Sequence, residues 1–365
     1  MLMEPIKKIL VMKFRHMGDV LLSTPLIENL RHHYPTAIID YALNDDCQNV
    51  VIHNPFIDNV IPYYRSIVKK KNFLSRLVLE LQFVWQVRKK QYDMVINLTE
   101  GDRGAIIALC SGAEIKLGIP SKNFLLKFMN IYTDSLTKLP FLHTVERDLL
   151  FLSFLQKTTI YKRVSIFWLR QHEDKINQIL ELNQVSEFVL VHPVARWQFK
   201  CWEDQRVAEL IDYLILEKSM QVIITASPDP VELARTNNIL SHCRSTPLNL
   251  SGCISLNELA CIAKKAKFFL GVDTAPMHIA AAVNIPVIAL FGHSMQIFWG
   301  PWDNDLPYST YTTANKTCDM GKHCVIQHGH GIISQVDQVV TSSSIMKITV
   351  AEVKEKIDSL MHSRH

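Results

Sequence analysis

Short apolar runs alternate along the chain with longer segments whose apolar residues recur at helical spacing. Residues 8–14 form an apolar run of strand length, and residues 20–33 follow it with helical spacing. Further strand-like runs occupy residues 37–43 and 93–98, with an amphipathic helical pattern at 73–87 between them. This alternation of strand and helix predicts a parallel sheet with helices packed on its faces.

A second series of strand-like runs repeats the organisation of the first. Its runs are 188–192, 221–226, 267–272 and 286–291, again separated by helical patterns. A helical stretch at 143–156 precedes residues 157–167, which show no clear period, so the domain junction is expected there. We predict an α/β protein with two doubly wound, Rossmann-like domains at 1–165 and 166–345, followed by a C-terminal helix and tail at 346–365.

Length and composition support two folded domains. The chain has 365 residues, whereas single hydrophobic cores rarely grow beyond about 250–300 residues. Hydrophobic residues make up 48% of the chain and charged residues 20%, which is ample for two cores. The net charge of +4 is too balanced to indicate a nucleic-acid partner. Without a signal peptide or an apolar run of roughly 18–20 residues, the protein is expected to be cytoplasmic.

The loops that follow the predicted strands are where a ligand would bind in such sheets. The first strand runs into Arg15-His16-Met17-Gly18-Asp19, where Gly18 permits close backbone approach. Asp19 starts the next helix and is either its N-cap or a base that faces a cleft. The loop lacks the G-x-G-x-x-G spacing of a dinucleotide site, which weakens a nicotinamide-binding interpretation.

A second candidate loop follows the run at 267–272. It reads Asp273, Thr274, Ala275, Pro276, Met277 and His278, and a helix of small residues comes after it. Pro276 suits a first helical turn, and Asp273 or Thr274 would cap it. Free backbone N–H groups would then face the cleft as an anion site, unless the segment is simply a capped helix without a ligand.

Cations for an anion site follow the run at 188–192. Arg196 and Lys200 lie in a loop with Trp197 and Trp202, which favours phosphate binding; a solvated basic loop with core tryptophans is the alternative. In the loop 226–232, Glu232 could place a carboxylate near a ribose.

A cluster of potential metal ligands lies near the C-terminal end. It contains Cys318, His323, Cys324, His328 and His330. Their spacing does not match the common structural zinc patterns, and no second cysteine pair lies nearby. We therefore predict no metal site.

Taken together, these loops resemble the lipopolysaccharide heptosyltransferase family. The similarity is carried by Lys13 with Gly18-Asp19-Val20 and Thr24-Pro25, by Lys200-Cys201-Trp202, and by the segment from Gly271 through Asp273-Thr274 and Pro276-Met277-His278. It extends from about Ile9 to Trp302. Residues 195–202 and 297–302 are most similar to the members that add the third, branching heptose of the core.

This resemblance implies a fold, an activity and roles for particular residues. It implies a GT-B fold with two domains facing a central cleft, an ADP-heptose donor, a lipopolysaccharide inner-core acceptor, and neither metal nor cofactor. The N-terminal domain would bind the acceptor and the C-terminal domain the nucleotide sugar. The implied roles are Asp19 as general base, Lys200 and Arg196 as phosphate contacts, residues 273–278 as the donor site at the helix start, Lys13 and Gly18 on the acceptor side, and Ile254 as an adenine contact.

Three alternative functions remain at this point. A sugar-nucleotide epimerase can share the two-domain architecture and needs no acceptor. A nicotinamide-dependent oxidoreductase is weakened by the missing glycine fingerprint. A non-catalytic nucleotide-binding module would not need Asp19 and Lys200 in facing loops.

A basic segment between residues 61 and 90 contains one acidic residue, Glu80. Its basic residues are Arg65, Lys69, Lys70, Lys71, Arg76, Arg88, Lys89 and Lys90. Within the segment, Phe73, Leu74, Leu77, Val78, Leu81 and Trp85 share one helical face. We favour packing of this face on the sheet with the cations in solvent. The alternative is a peripheral contact with the inner membrane or with acceptor phosphates.

Overall fold

The computed structural model describes residues 5–129, 131–138, 140–312, 315–336 and 339–362. Their contacts divide the chain into two compact units, Met1–Phe167 and Trp168–His365. Each unit is built on its own sheet.

The first unit contains a six-stranded parallel sheet in the order β3-β2-β1-β4-β5-β6. The strands are β1 Lys8–Lys13, β2 Ile38–Asn44, β3 Asn59–Tyr63, β4 Met94–Asn97, β5 Ile115–Gly118 and β6 Asp134–Ser135. The central strands β1 and β4 are buried almost throughout, because helices cover both faces of a parallel sheet. The strand order is that of a Rossmann fold, as predicted.

Helices connect these strands. They are α1 Met17–Leu22, α2 Thr24–His33, α3 Arg65–Lys70, α4 Phe73–Lys89, α5 Asp102–Ser111, α6 Phe124–Phe128, α7 Thr144–Leu149 and α8 Phe151–Phe154, with a 3₁₀ helix at Asp45–Val50. The single helix predicted at 20–33 is two helices that meet at Ser23. The Ser23 hydroxyl donates to the Val20 carbonyl, and Pro25 lies in the first turn of α2, where it needs no N–H partner.

The exposed face of α4 corrects the interpretation of the basic segment. We expected the face from Phe73 to Trp85 to pack on the sheet, but its six apolar side chains are 47–77% exposed. Instead Phe83 and Val87, on the other side of α4, enter the core of the unit. Lys69 belongs to the basic segment, but its side chain lies outside the described residues.

The second unit contains a seven-stranded sheet in the order β12-β13-β11-β10-β7-β8-β9. Its strands are β7 Phe188–His192, β8 Gln221–Ile224, β9 Leu248–Asn249, β10 Phe269–Val272, β11 Val287–Phe291, β12 Lys316–Met320 and β13 His323–His328. Without β12, which pairs antiparallel at the edge, the order repeats that of the first unit. A separate hairpin is formed by β14 Ile333–Val336 and β15 Val339–Ser342.

Helices again cover this sheet. They are α9 Arg170–Leu182, α10 Asp204–Asp212, α11 Pro230–His242, α12 Leu256–Lys265, α13 Ala275–Ala282, α14 Gln296–Trp299 and α15 Val350–His362, with 3₁₀ turns at Gln198–Lys200 and Ile345–Lys347 and a π-helix at Tyr213–Glu217. The last helix, α15, buries Val353 and Ile357 in the core of the second unit. Its Asp358 accepts a 2.6 Å hydrogen bond from the Tyr213 hydroxyl.

Candidate functional site

The strand order of each unit defines where its site lies. In both sheets the order reverses beside the first strand, between β1 and β4 in the first unit and between β7 and β10 in the second. Loops that leave neighbouring strands on either side of such a reversal diverge and open a crevice. Two loops start at these positions: the loop 14–16, which leads into α1 with Gly18 and Asp19, and the loop 193–201, which contains Arg196 and Lys200.

In the second unit, β7 and β10 approach each other closely at Gly271. A Cβ atom at this position would lie 2.6 Å from the His192 carbonyl oxygen, so only glycine fits the present spacing. Gly271 pairs with His192, the last residue of β7. The close pairing brings the loop that contains Lys200 next to Asp273.

Lys200 and Asp273 form a salt bridge at the reversal point. The Lys200 Nζ lies 2.6 Å from Asp273 Oδ2 and 3.3 Å from the Asp273 carbonyl oxygen. Asp273 is nearly buried, whereas Lys200 is partly exposed. Burial acts to raise the pKa of Asp273, but the Lys200 charge and hydrogen bonds from Lys200 and Ser294 outweigh burial and lower that pKa. An ammonium has three donors, so one remains for a ligand oxygen.

Helix α13 starts beside this pair, but it is not capped as predicted. We expected the Asp273 or Thr274 side chain to cap it. Thr274 is the N-cap residue, yet its hydroxyl donates to the Val272 carbonyl and makes no cap hydrogen bond. The Asp273 carboxylate is bound to Lys200 instead. Thr274 therefore holds the predicted N-cap position, but neither side chain makes a cap hydrogen bond, because each has another partner.

The first turn of α13 offers fewer backbone donors than a simple helix start. Pro276 has no N–H, and the Met277 N–H donates to the Thr274 carbonyl. The Ala275 N–H is among the four of a helix start that have no partner within the helix. His278 is buried in the same turn, and in its protonated form it lowers the pKa of Asp273. The helix dipole still favours an anion at this end.

Ser294 and a group of rings beside the salt bridge were not predicted from the sequence. Ser294 follows β11, the neighbour of β10, and its side chain hydrogen-bonds to Asp273. The Phe199 ring packs edge-on against His293 at 6.1 Å, and His293 lies 4.7 Å from the His330 ring. The adjacency of parallel strands β10 and β11 was the available signal for Ser294.

The other predicted donor contacts of the second unit lie at separate places. Arg196 is exposed in the loop after β7, and among the described residues no partner holds its side chain. Glu232 is buried at the start of α11, where its carboxylate accepts from the Ser227 N–H at 3.1 Å. Ile254 is half-buried before α12. The structure thus brings Lys200, Asp273 and the start of α13 together, and it ties the Glu232 carboxylate to the backbone of its own loop.

In the first unit, the loop after β1 leads into α1, the helix that contains Asp19. Asp19 is the third residue of α1, and the N-cap residue is His16, so the N-cap interpretation of Asp19 is wrong. Its carboxylate is 7% exposed and lies 3.7 Å from the Nε of Arg15, which is far more exposed. Gly18 precedes it and is half-buried. A small part of the Asp19 carboxylate is therefore accessible to a ligand that binds beside Arg15.

Lys13 is placed differently from the prediction. Its side chain is completely buried, with Nζ 2.6 Å from Oδ2 of the buried Asp148. Burial lowers the pKa of Lys13 and raises the pKa of Asp148. A side chain without exposed surface cannot touch an acceptor, so the predicted acceptor contact at Lys13 does not fit this structure. Asp148 is 135 residues away along the chain and gave no sequence signal.

Several side chains fix the backbone of the loop after β1. The Phe14 N–H donates to Thr99 Oγ1 at 2.9 Å, and Asn44 Nδ2 donates to the Arg15 carbonyl at 2.9 Å. Thr99 follows β4, the neighbour of β1 at the reversal point. These hydrogen bonds fix the backbone that leads into α1 against β2 and β4, the two neighbours of β1. They thereby help to position Asp19.

The C-terminal histidines and cysteines do not converge on one point. His328 pairs with Glu352 at 2.7 Å, while His330 stacks near His293. Across residues 5–362, apart from the gaps at 130, 139, 313–314 and 337–338, no group of three or more His, Cys, Asp or Glu side chains is placed to hold a metal ion. In the same described part of the chain, no helix has the length and apolar character to cross a membrane.

Two Rossmann-like units, each with a polar site where its strand order reverses, form the domain pair of the GT-B class, which includes glycosyltransferases and sugar-nucleotide epimerases. The family model for glycosyltransferase family 9 (heptosyltransferase) matches residues 81–330, and the chain belongs to this family. The family assignment decides against the epimerase, oxidoreductase and non-catalytic alternatives.

Individual relatives agree with this assignment. An Escherichia coli protein named lipopolysaccharide heptosyltransferase 3 is 30% identical over 341 residues, covering 90% of this chain and 98% of the relative. A protein of the same name from strain K12 is 33% identical over 297 residues, covering 80% and 84% of the two chains. The solved E. coli ADP-heptose LPS heptosyltransferase II superposes with a TM-score of 0.71 at 20% identity, covering 98% of this chain and 99% of that one.

Proposed function

We propose that this heptosyltransferase transfers a heptose from ADP-heptose to the inner core of lipopolysaccharide, as the third, branching heptose. The names of the two most identical relatives reported above support the acceptor and the position. The name of the solved relative supports the ADP-heptose donor.

The observation that carries the proposal is the Lys200–Asp273 pair at the start of α13. A departing ADP gains negative charge on its diphosphate, and the transition state is stabilised by donors already aimed at that charge. The buried Asp273 holds Lys200 in place with two of its three N–H groups, so the third can reach a phosphate oxygen. The positive end of the α13 dipole adds to the same effect.

Asp19 is proposed as the general base. The acceptor hydroxyl attacks the anomeric carbon, its proton goes to the Asp19 carboxylate, and the bond from that carbon to the ADP oxygen breaks. One carboxylate acting on the acceptor fits a single displacement with inversion. Because Lys200 and the helix start supply the positive charge, the reaction is proposed to need no metal ion.

The test combines purified protein, ADP-heptose and a truncated core acceptor, with and without a chelator. Product mass should increase by one heptose, and chelator should leave the rate unchanged. Release of free heptose without acceptor modification would contradict the transferase proposal, and loss of activity with chelator would contradict metal independence. NMR of the anomeric proton in the product reports inversion or retention directly.

A further inference from the structure

Helix α4 presents an apolar surface that no described part of the first unit covers. This α4 surface consists of Phe73, Leu74, Leu77, Val78, Leu81 and Trp85, which are 47–77% exposed. Successive residues of an α-helix are rotated by about 100°, so these six fall within an arc of about 140°. Such a contiguous row of large apolar side chains is unusual on a soluble surface and indicates an interaction site.

A second helix exposes apolar side chains on the same side of the sheet. In α6 and just after it, Phe124, Leu125 and Met129 are 76%, 71% and 53% exposed. Leu126 of α6 packs against the core cluster that also contains Phe83 of α4. Both helices also pack on α5, so α4 and α6 cover one face of the sheet.

The charges around the α4 surface are positive. The exposed cations on or directly next to α3, α4 and α6 are Arg65, Lys70, Lys71, Arg76, Arg88, Lys89, Lys122 and Lys127. Of these, Lys122 pairs with Glu100 at 3.4 Å. Lys89 Nζ lies 5.1 Å from the Trp85 ring centroid, next to the apolar row. The one acidic residue of α4, Glu80, is half-buried and pairs with Arg103 at 3.0 Å. No described acidic side chain of α3 or α4 therefore offsets the exposed cations.

Helix α4 contacts the loop 14–16, which leads into α1, the helix of Asp19. Phe14, in that loop, packs edge-on against Phe83 of α4 with ring centroids 6.1 Å apart, and against Tyr63 at 5.9 Å. Phe83 lies on the inner side of α4, opposite the exposed row. Phe83 and Phe14 thus connect the inner side of α4 to the segment that leads into α1 and the proposed base, Asp19.

We propose that the α4 surface docks this enzyme on a bilayer that contains anionic lipid headgroups. Apolar side chains would enter the interface while the surrounding Lys and Arg bind headgroup phosphates, the arrangement of an interfacial amphipathic helix. The role of docking in the reaction rests on the proposed function, because the proposed acceptor, the inner core of lipopolysaccharide, is anchored in lipid. A docking helix in the unit with Asp19 would keep the base at the depth where the acceptor sugars leave the membrane.

Vesicle sedimentation tests the docking without any transfer reaction. Vesicles of phosphatidylethanolamine and phosphatidylglycerol should bind the wild type, and phosphatidylcholine vesicles should bind it much less. Leu74→Ser with Leu81→Ser should weaken binding at least about tenfold. The matched control, Leu182→Ser with Leu216→Ser, alters residues of the second unit that are 75% and 55% exposed, and its binding should stay within about twofold of wild type.

The electrostatic part has its own variant. Arg76→Glu with Lys89→Glu should abolish the preference for anionic vesicles, and high salt should weaken wild-type binding. Equal binding by the Leu74 and Leu81 variant and the wild type would overturn the proposal. A concentration-dependent dimer of the wild type that is lost in this variant would also overturn it. The α4 surface would then bind a second copy of the chain.

Activity assays separate this proposal from the proposed function. The Leu74 and Leu81 variant should transfer heptose normally to a water-soluble truncated acceptor and more slowly to an acceptor embedded in vesicles. Vesicle binding without transfer to either acceptor would leave the docking surface in place and contradict the heptosyl transfer. Equal transfer by variant and wild type to the embedded acceptor would contradict docking as part of the reaction.

Discussion

Individual side chains in the second unit owe their positions to oppositely charged neighbours. Lys200 is held by a carboxylate that is itself nearly buried, so its ammonium is oriented before any ligand binds. Oriented charges stabilise a transition state more than mobile ones, because no reorganisation is needed during the reaction. Asp273 is therefore a positioning residue that acts through Lys200.

Asp273→Asn tests that positioning role. The amide cannot neutralise Lys200, so the ammonium should lose its fixed orientation, and kcat should fall about 10²-fold while ADP affinity changes by less than about tenfold. Asp273→Glu should restore part of kcat. Steady-state kinetics and ADP titration measure the two effects, and an unchanged kcat for Asp273→Asn would contradict the role.

The buried Lys13–Asp148 pair makes a separate prediction about stability. Removal of one partner leaves an uncompensated charge in the core, so Asp148→Ala should lower the free energy of unfolding by about 3–5 kcal/mol. Lys13→Met with Asp148→Ala removes both charges and should recover part of that loss. Denaturant unfolding of the variants measures both values. Equal loss in the single and double variants would show that the charge is not the cause.

At the scale of elements, the alternation of strands and helices was predictable and the breaks were not. The runs at 8–14, 188–192 and 286–291 predict β1, β7 and β11 closely, because fully buried parallel strands are short and uniformly apolar. The break at Ser23 depends on a hydroxyl-to-carbonyl bond that periodicity does not show. The two-residue strand β9 is too short to produce any pattern.

The candidate site could be predicted only in part. The parallel strands brought the Lys200 and Asp273 loops together, as the resemblance implied. The burial of Lys13 depends on Asp148, a contact over 135 residues that local sequence cannot reveal. The exposure of the apolar face of α4 could not be predicted either. The same amphipathic pattern is expected for a helix that packs on a core and for a helix that contacts a membrane.

Gly271 tests how strand spacing supports the site. A methyl group at this position would meet the His192 carbonyl oxygen at 2.6 Å, so Gly271→Ala must push β10 away from β7. The overpacking should cost about 1–3 kcal/mol of stability. Because Asp273 follows β10 directly, kcat should fall as well. If the free energy of unfolding and kcat of Gly271→Ala stayed close to wild type, the close spacing of β7 and β10 would not be needed for stability or for activity.

For the whole molecule, acid stability should depend on His192. Burial lowers the pKa of His192 to about 4, so the folded protein binds fewer protons than the unfolded chain between about pH 6.5 and pH 4. Stability is therefore lost as the pH falls through this range, by about 2.5 kcal/mol at pH 4.5. The His192→Gln variant should show a shallower decrease in denaturant unfolding at several pH values. A parallel decrease in both proteins would contradict this assignment.

The proposed division of labour gives Asp19 the acceptor proton and Lys200 the departing diphosphate. The most direct measurement is the rate of heptose transfer by Asp19→Asn, with ADP affinity measured on the same preparation. We predict a rate about 10²- to 10⁴-fold below wild type with ADP affinity unchanged. A near wild-type rate with normal ADP binding would contradict it.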